Sequence, residues 1–99
     1  MSNNNITCEI IKRLDMFEIF ENIFGYEYKK KKSSKYGRLY NTPFGYVWVR
    51  YDYKTGIYFY TNLDDGLDNG TLIDWIQNHI INTKNLGLVK KYVTENIIN

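Results

Sequence analysis

The sequence predicts an α+β fold in which a small antiparallel β-sheet packs with N-terminal and C-terminal helices. Apolar residues recur at helical spacing near both ends of the chain. Aromatic residues fill two extended segments in the middle, 46–53 and 57–61. These segments flank Lys54-Thr55-Gly56, a turn sequence typical of a β-hairpin.

The chain of 99 residues is expected to form a single domain over 1–99, because single cores typically serve chains of roughly 100–150 residues. We expect a flexible N-terminus over 1–5, helices over 6–25, a β-ribbon over 26–62 and helices over 71–98. Aromatic side chains, 17% of the residues, bury large areas and can stabilise a small core without disulfides.

Local sequence signals indicate where the helices near each end of the chain begin and end. Asp15 followed by Glu18 predicts a fresh N-cap, and Gly25 suits the left-handed end of that helix; one bent helix over 6–24 is the alternative. Thr71 with Asp74 predicts another capping box. A last helix over 86–97 is expected to turn these residues inward: Leu88, Val89, Tyr92, Val93 and Ile97.

The central hairpin is expected to present two different faces. Pairing Tyr53 with Ile57 across a turn with positive φ at Gly56 assigns alternate residues to opposite sides. The more apolar side, assigned to the core, contains Val49, Tyr51, Tyr53, Ile57, Phe59 and Thr61. The other side contains Trp48, Arg50, Asp52, Tyr58, Tyr60 and Asn62.

Charge is unevenly distributed along the chain. The net charge is only +2, yet residues 26–54 carry eight basic residues against Glu27 and Asp52, a sum of +6. The basic residues are Lys29, Lys30, Lys31, Lys32, Lys35, Arg38, Arg50 and Lys54. Local potential steers polyanions more than net charge does, although a solvated lysine loop is the alternative interpretation.

Several classes of protein are disfavoured. Cys8 is the only cysteine, so an internal disulfide and a cysteine-based metal site are excluded. No apolar run approaches the roughly 20 residues that span a bilayer, and the polar N-terminus resembles no secretory signal. We expect a cytoplasmic protein without cofactor or membrane association. Neither a nucleophile context nor a Gly-rich phosphate loop is visible, so no enzyme activity is expected.

The order of elements resembles the N-terminal zinc-binding domain of bacterial replicative DNA primases, from about Ile6 to Tyr92. The similar segments are Asp15-Met16-Phe17-Glu18-Ile19, Tyr36-Gly37-Arg38-Leu39-Tyr40, Thr42-Pro43-Phe44, Ile57-Tyr58-Phe59-Tyr60 and Gly70-Thr71-Leu72-Ile73-Asp74-Trp75. The zinc ligands are missing: Tyr40 stands near the first cysteine, the histidine segment is deleted, and residues near Thr61 to Asp65 replace the second cysteine pair. The resemblance implies a degenerate zinc ribbon held together by aromatic packing.

Two sets of residues that could bind a metal ion are instead interpreted as structural. His79 shares a predicted helix face with Trp75 and Ile76, so we expect a packed histidine instead of a metal ligand. Asp64, Asp65 and Asp68 lack the alternating spacing and distal Glu of an EF-hand, which favours a solvated turn.

The expected function is that of a non-catalytic accessory domain that binds single-stranded DNA for a separate primase-polymerase or helicase. The resemblance implies this role, in replication of a mobile element, plasmid or phage. Because the chain ends soon after the ribbon, the polymerising centre is expected on a separate protein. The expected binding residues are the lysines Lys29, Lys30, Lys31, Lys32 and Lys35 with Arg38, Trp48, Arg50, Tyr58 and Tyr60.

Three uses of the aromatic hairpin residues remain open at the level of sequence: base stacking, burial in this core and contact with a partner protein. The alternative function is therefore a protein-interaction module that docks on a replication polymerase or helicase through Trp48, Tyr58 and Tyr60 without touching DNA.

Overall fold

A computed structural model describes residues 6–25 and 37–98 and confirms the α+β class. Short helices and a four-stranded antiparallel sheet of order β1-β2-β3-β4 make up the fold. The elements are α1 (Cys8–Lys12), α2 (Met16–Phe24), β1 (Gly37–Thr42), β2 (Gly45–Asp52), β3 (Ile57–Asn62), β4 (Asn69–Gly70), α3 (Leu72–His79) and α4 (Leu86–Val93), followed by a π-helical turn over Thr94–Ile98.

The N-terminal segment forms two helices, so the alternative of one bent helix is wrong. The side chain of Asp15 accepts a hydrogen bond from the backbone N–H of Glu18 at 3.1 Å, as expected of an N-cap. Gly25 ends α2 with a φ of 76°, the positive φ that its place after the helix predicts, but its ψ of −163° differs from that of the left-handed helical conformation.

The hairpin of β2 and β3 is confirmed, but its predicted register is wrong by one residue. Asp52, and not Tyr53, pairs with Ile57, because the turn holds four residues, 53–56, with Gly56 at a φ of 75°. Since side chains alternate along a strand, this shift moves every β3 residue to the other face from the one predicted.

The register defines an inner and an outer face of the sheet. The inner face carries Arg38, Tyr40, Thr42, Val47, Val49, Tyr51, Tyr58, Tyr60 and Asn62. The outer face carries Gly37, Leu39, Asn41, Tyr46, Trp48, Arg50, Asp52, Ile57, Phe59 and Thr61. Phe59 was expected in the core, and the structure places it on the outer face.

The helices build an aromatic core on the inner face. The ring of Phe20 in α2 lies 5.4 Å from that of Tyr40 and 4.7 Å from that of Trp75 in α3. Trp75 in turn contacts Tyr60 edge-on at 5.1 Å. The same buried cluster takes in Ile11 of α1 and Val89 and Val93 of α4. Packing of this kind offsets the chain entropy that a small domain loses on folding.

The capping box predicted at the start of α3 is confirmed. The carboxylate of Asp74 accepts a hydrogen bond from the backbone N–H of Thr71 at 2.8 Å. Asn85 caps α4 by accepting from the N–H of Leu88. The side chain of Leu88 is exposed, however, so its predicted inward position is wrong.

Candidate nucleic-acid interface

The outer face of the sheet brings together a tryptophan, a phenylalanine and an arginine. Arg50 of β2 pairs directly with Phe59 of β3, and the guanidinium carbon lies 4.8 Å from the centre of the Phe59 ring. At this distance the cation is attracted by the face of the ring. The side chain of Arg50 is exposed and Phe59 is half-buried, so a planar group can approach both.

Trp48 extends this surface along β2. Its indole packs against Gly37 at the start of β1, so closely that a Cβ atom at Gly37 would overlap the six-membered ring. A glycine at this position lets the indole lie against the backbone of the edge strand. Trp48 is half-buried, and Tyr46, which is exposed, follows on the same face of β2. The outer face thus carries a row of rings, with the guanidinium of Arg50 lying over the Phe59 ring.

Tyr58 and Tyr60, predicted to share this surface, lie on the inner face instead. Tyr60 is 1% exposed, and its hydroxyl donates to Asp68 at 2.6 Å. Burial, together with that carboxylate, raises the pKa of Tyr60. Tyr58 meets Phe17 edge-on at 5.3 Å; burial, and then the charge of Asp15, raises its pKa to about 12. The inner-face tyrosines therefore pack in the core, and Phe59 occupies the surface position predicted for them.

Arg38 also points toward the helices. One of its guanidinium nitrogens donates to Glu21 at 2.6 Å, and its guanidinium carbon lies 4.6 Å from the Phe17 ring centre. The Tyr40 hydroxyl donates to the same Glu21 oxygen at 3.0 Å. Arg38 thus neutralises a carboxylate between α2 and β1 and stands apart from Arg50, with which the sequence grouped it.

The predicted lysines Lys29, Lys30, Lys31, Lys32 and Lys35 lie outside the described residues. Lys35 comes two residues before Gly37, and Gly37 pairs with Arg50. The lysine run thus precedes β1 in the sequence, and the first residue of β1 is the strand partner of Arg50.

The other end of the sheet is held by a carboxylate network. Asp68 accepts from the Asn62 amide at 3.2 Å, and its Oδ2 lies 2.5 Å from Nε2 of His79. Burial alone would raise the pKa of Asp68, but hydrogen bonds from Tyr60, His79 and Asn62 outweigh it and lower that pKa below its usual value.

This network corrects one expectation and agrees with another. Asp68 was expected in a solvated turn; its side chain is only 10% exposed and holds the loop to the core. His79 packs as expected, with its ring 4.2 Å from Phe44 and 4.3 Å from Trp75. The sequence carried no local signal for the network, because the contacts of Asp68 lie 6 to 11 residues away.

Within 6–25 and 37–98, no group of three or more His, Cys, Asp or Glu side chains is arranged to hold a metal ion. No helix in this part of the chain has the length and apolar character needed to cross a bilayer. Comparison with protein-family models, curated proteins and solved structures finds no match to this chain.

Proposed function

We propose that this protein binds single-stranded DNA on the outer face of its sheet and performs no catalysis there. The observation that carries the proposal is the register of β2 and β3, which sets Trp48, Arg50 and Phe59 side by side on the face away from the helices. Aromatic rings that stack bases, next to cations that follow the phosphates, are the two components of single-strand binding surfaces.

The distribution of charge supports the same surface. Arg50 makes no salt bridge within the described residues, so its charge is available to a phosphate. The lysine run precedes β1 in the sequence, and residues 26–54 together carry a net charge of +6. A local excess of positive charge of this size attracts a polyanion more strongly than the overall charge of +2 indicates.

The wider role that we propose follows from the primase resemblance. A metal-free, ribbon-like domain would help a primase-polymerase or helicase engage its template, in replication of a mobile element, plasmid or phage. Aromatic packing around Phe20, Trp75 and Tyr60 supports the stability of such a domain without zinc.

Fluorescence anisotropy with labelled oligo-dT at two salt concentrations tests the proposal. The affinity should fall as salt rises, because phosphate contacts release counterions. Phe59→Leu keeps an apolar side chain but removes the π-face, and we expect it to weaken binding by about 5- to 150-fold, the equivalent of one stacked base. Trp48→Leu should act in the same direction.

Tyr92→Leu is the matched control, since Tyr92 is a half-buried aromatic residue on α4, away from the outer face. It should leave the affinity unchanged. Binding that is undetectable, or insensitive to both salt and Phe59→Leu, would refute the proposal. That result would favour the protein-interaction alternative, although two of the three residues first assigned to it, Tyr58 and Tyr60, lie on the inner face against the core.

A further inference from the structure

A second surface lies in the loop between β3 and β4, over residues 63–68. Leu67 is 94% exposed and Leu63 is 59% exposed. A single exposed leucine on a mobile tail would need no explanation. These two leucines stand instead on a loop that the structure holds in place.

Hydrogen bonds hold this loop from both ends. The N–H of Leu63 donates to the Tyr46 carbonyl at 2.7 Å, and the carboxylate of Asp64 accepts from the N–H of Tyr46 at 3.1 Å. The N–H of Leu67 itself donates to the Asp65 side chain at 3.2 Å. Asp68 closes the loop through its buried contacts with Tyr60 and His79. A side chain held on an ordered backbone loses little conformational freedom when it enters a pocket.

The charge around the loop narrows the kind of partner. Residues 55–83 contain four aspartates and neither Lys nor Arg. Asp64 and Asp65, both exposed, stand between the two leucines. The loop begins at Leu63, four residues after Phe59 in the sequence, about 13 Å away at the usual rise per residue of a strand. A nucleic acid on the outer face would therefore be repelled by this end of the sheet.

We infer that the loop 63–68 is a docking element that inserts Leu67 into an apolar pocket on a different protein, one rimmed by Lys or Arg. Charge complementarity with Asp64 and Asp65 selects such a pocket. Among the described residues of a second copy of this chain, the apolar groove at α2 does not offer it. The apolar groove between α2 and the C-terminal turn, lined by Ile19, Ile23 and Ile97, is bordered by Asp15 and Glu18, which would repel the loop.

This inference does not rest on DNA binding, because the loop and the outer face use different residues. Together the two surfaces would let the protein hold a strand with one face of the sheet and a protein partner with one end of it. Each can fail without the other: Phe59→Leu tests the first, and substitutions at Leu67 test the second.

The experiment places a photoreactive benzoylphenylalanine at position 67 of the full chain and irradiates it in extract of the source cells. A protein that crosslinks is then purified and titrated against the unlabelled chain. We expect Leu67→Ser to weaken that binding at least tenfold, and Asp65→Asn to weaken it several-fold and reduce its salt dependence. Leu86→Ser is the control, since Leu86 is 46% exposed on α4 and should leave the affinity unchanged.

Leu67→Ser should also leave the melting temperature unchanged, because the side chain it replaces is almost fully exposed. The inference is overturned if no protein crosslinks at position 67. It is equally overturned if the crosslinked protein binds Leu67→Ser as tightly as the original chain, or if the crosslinked species is nucleic acid.

Discussion

Nε2 of His79 lies 2.5 Å from Oδ2 of Asp68, which joins the first helix after the sheet to the loop that precedes it. The other carboxylate oxygen of Asp68 accepts from Tyr60 in β3 at 2.6 Å. One side chain thus connects a strand, a loop and a helix. The position of the exposed leucines depends on this connection.

We expect Asp68→Ala to lower the free energy of unfolding by about 1–3 kcal/mol, since it leaves buried donors on Tyr60 and His79 without their acceptor. Urea denaturation at pH 7 measures the effect. Glu95→Ala, at an exposed position of the C-terminal turn, is the control and should change stability by less than about 0.5 kcal/mol.

The loss of stability in Asp68→Ala should depend on pH. Because the folded state lowers the pKa of Asp68, this carboxylate contributes its full stabilisation above the ordinary Asp pKa of about 3.9. That contribution is lost as the pH falls through the lower, folded-state pKa. The stability difference between the original chain and Asp68→Ala should therefore be constant from pH 7 to about pH 5 and shrink below about pH 4. A difference that grew in acid would contradict the assignment.

Gly37→Ala tests the contact between the edge strand and Trp48. The added methyl group would overlap the indole, so either the ring or the strand must shift, at a cost of about 1–3 kcal/mol. We also expect weaker binding of oligo-dT, because the displaced ring belongs to the proposed DNA surface. Thermal unfolding and anisotropy measure the two effects.

Gly66→Ala provides the matched substitution. A Cβ atom placed there meets nothing within 4 Å, and we expect both readouts to stay unchanged. If Gly37→Ala changed neither the thermal stability nor the oligo-dT affinity, the inference that Trp48 packs closely on β1 would be contradicted.

Substitution of Arg38 should affect the stability of the fold, whereas substitution of Arg50 should affect DNA binding. Arg38→Gln removes the cation from Glu21, whose side chain is only 11% exposed, and is expected to destabilise the fold while leaving oligo-dT affinity within about twofold. Arg50→Gln should leave the stability of the fold unchanged and weaken oligo-dT binding. It should also lower the salt dependence of binding by roughly one phosphate contact. Measuring unfolding and anisotropy on both variants gives the comparison; equal losses of DNA affinity would place the two arginines on one surface and contradict the register.

Local sequence signals determined the elements of this fold. A capping side chain or a glycine with positive φ acts within one turn of backbone, so Asp15, Gly25, Gly56 and Asp74 could each be interpreted from their immediate neighbours. The α+β class followed from these boundaries and from the two aromatic strands. None of this required knowing which residues meet across the molecule.

Tertiary structure alone decided which ring faces where. In β2 and β3, aromatic and apolar residues occur at both odd and even positions, as Phe59 and Tyr60 illustrate. The alternation of apolar and polar residues therefore could not distinguish between two registers that differ by one residue. The choice depended on the length of the turn and on long-range partners: Trp75 packs on Tyr60, and Asp68 accepts its hydroxyl. Contacts between residues distant in sequence leave no local pattern, which is why Tyr60 moved to the core and Phe59 to the surface.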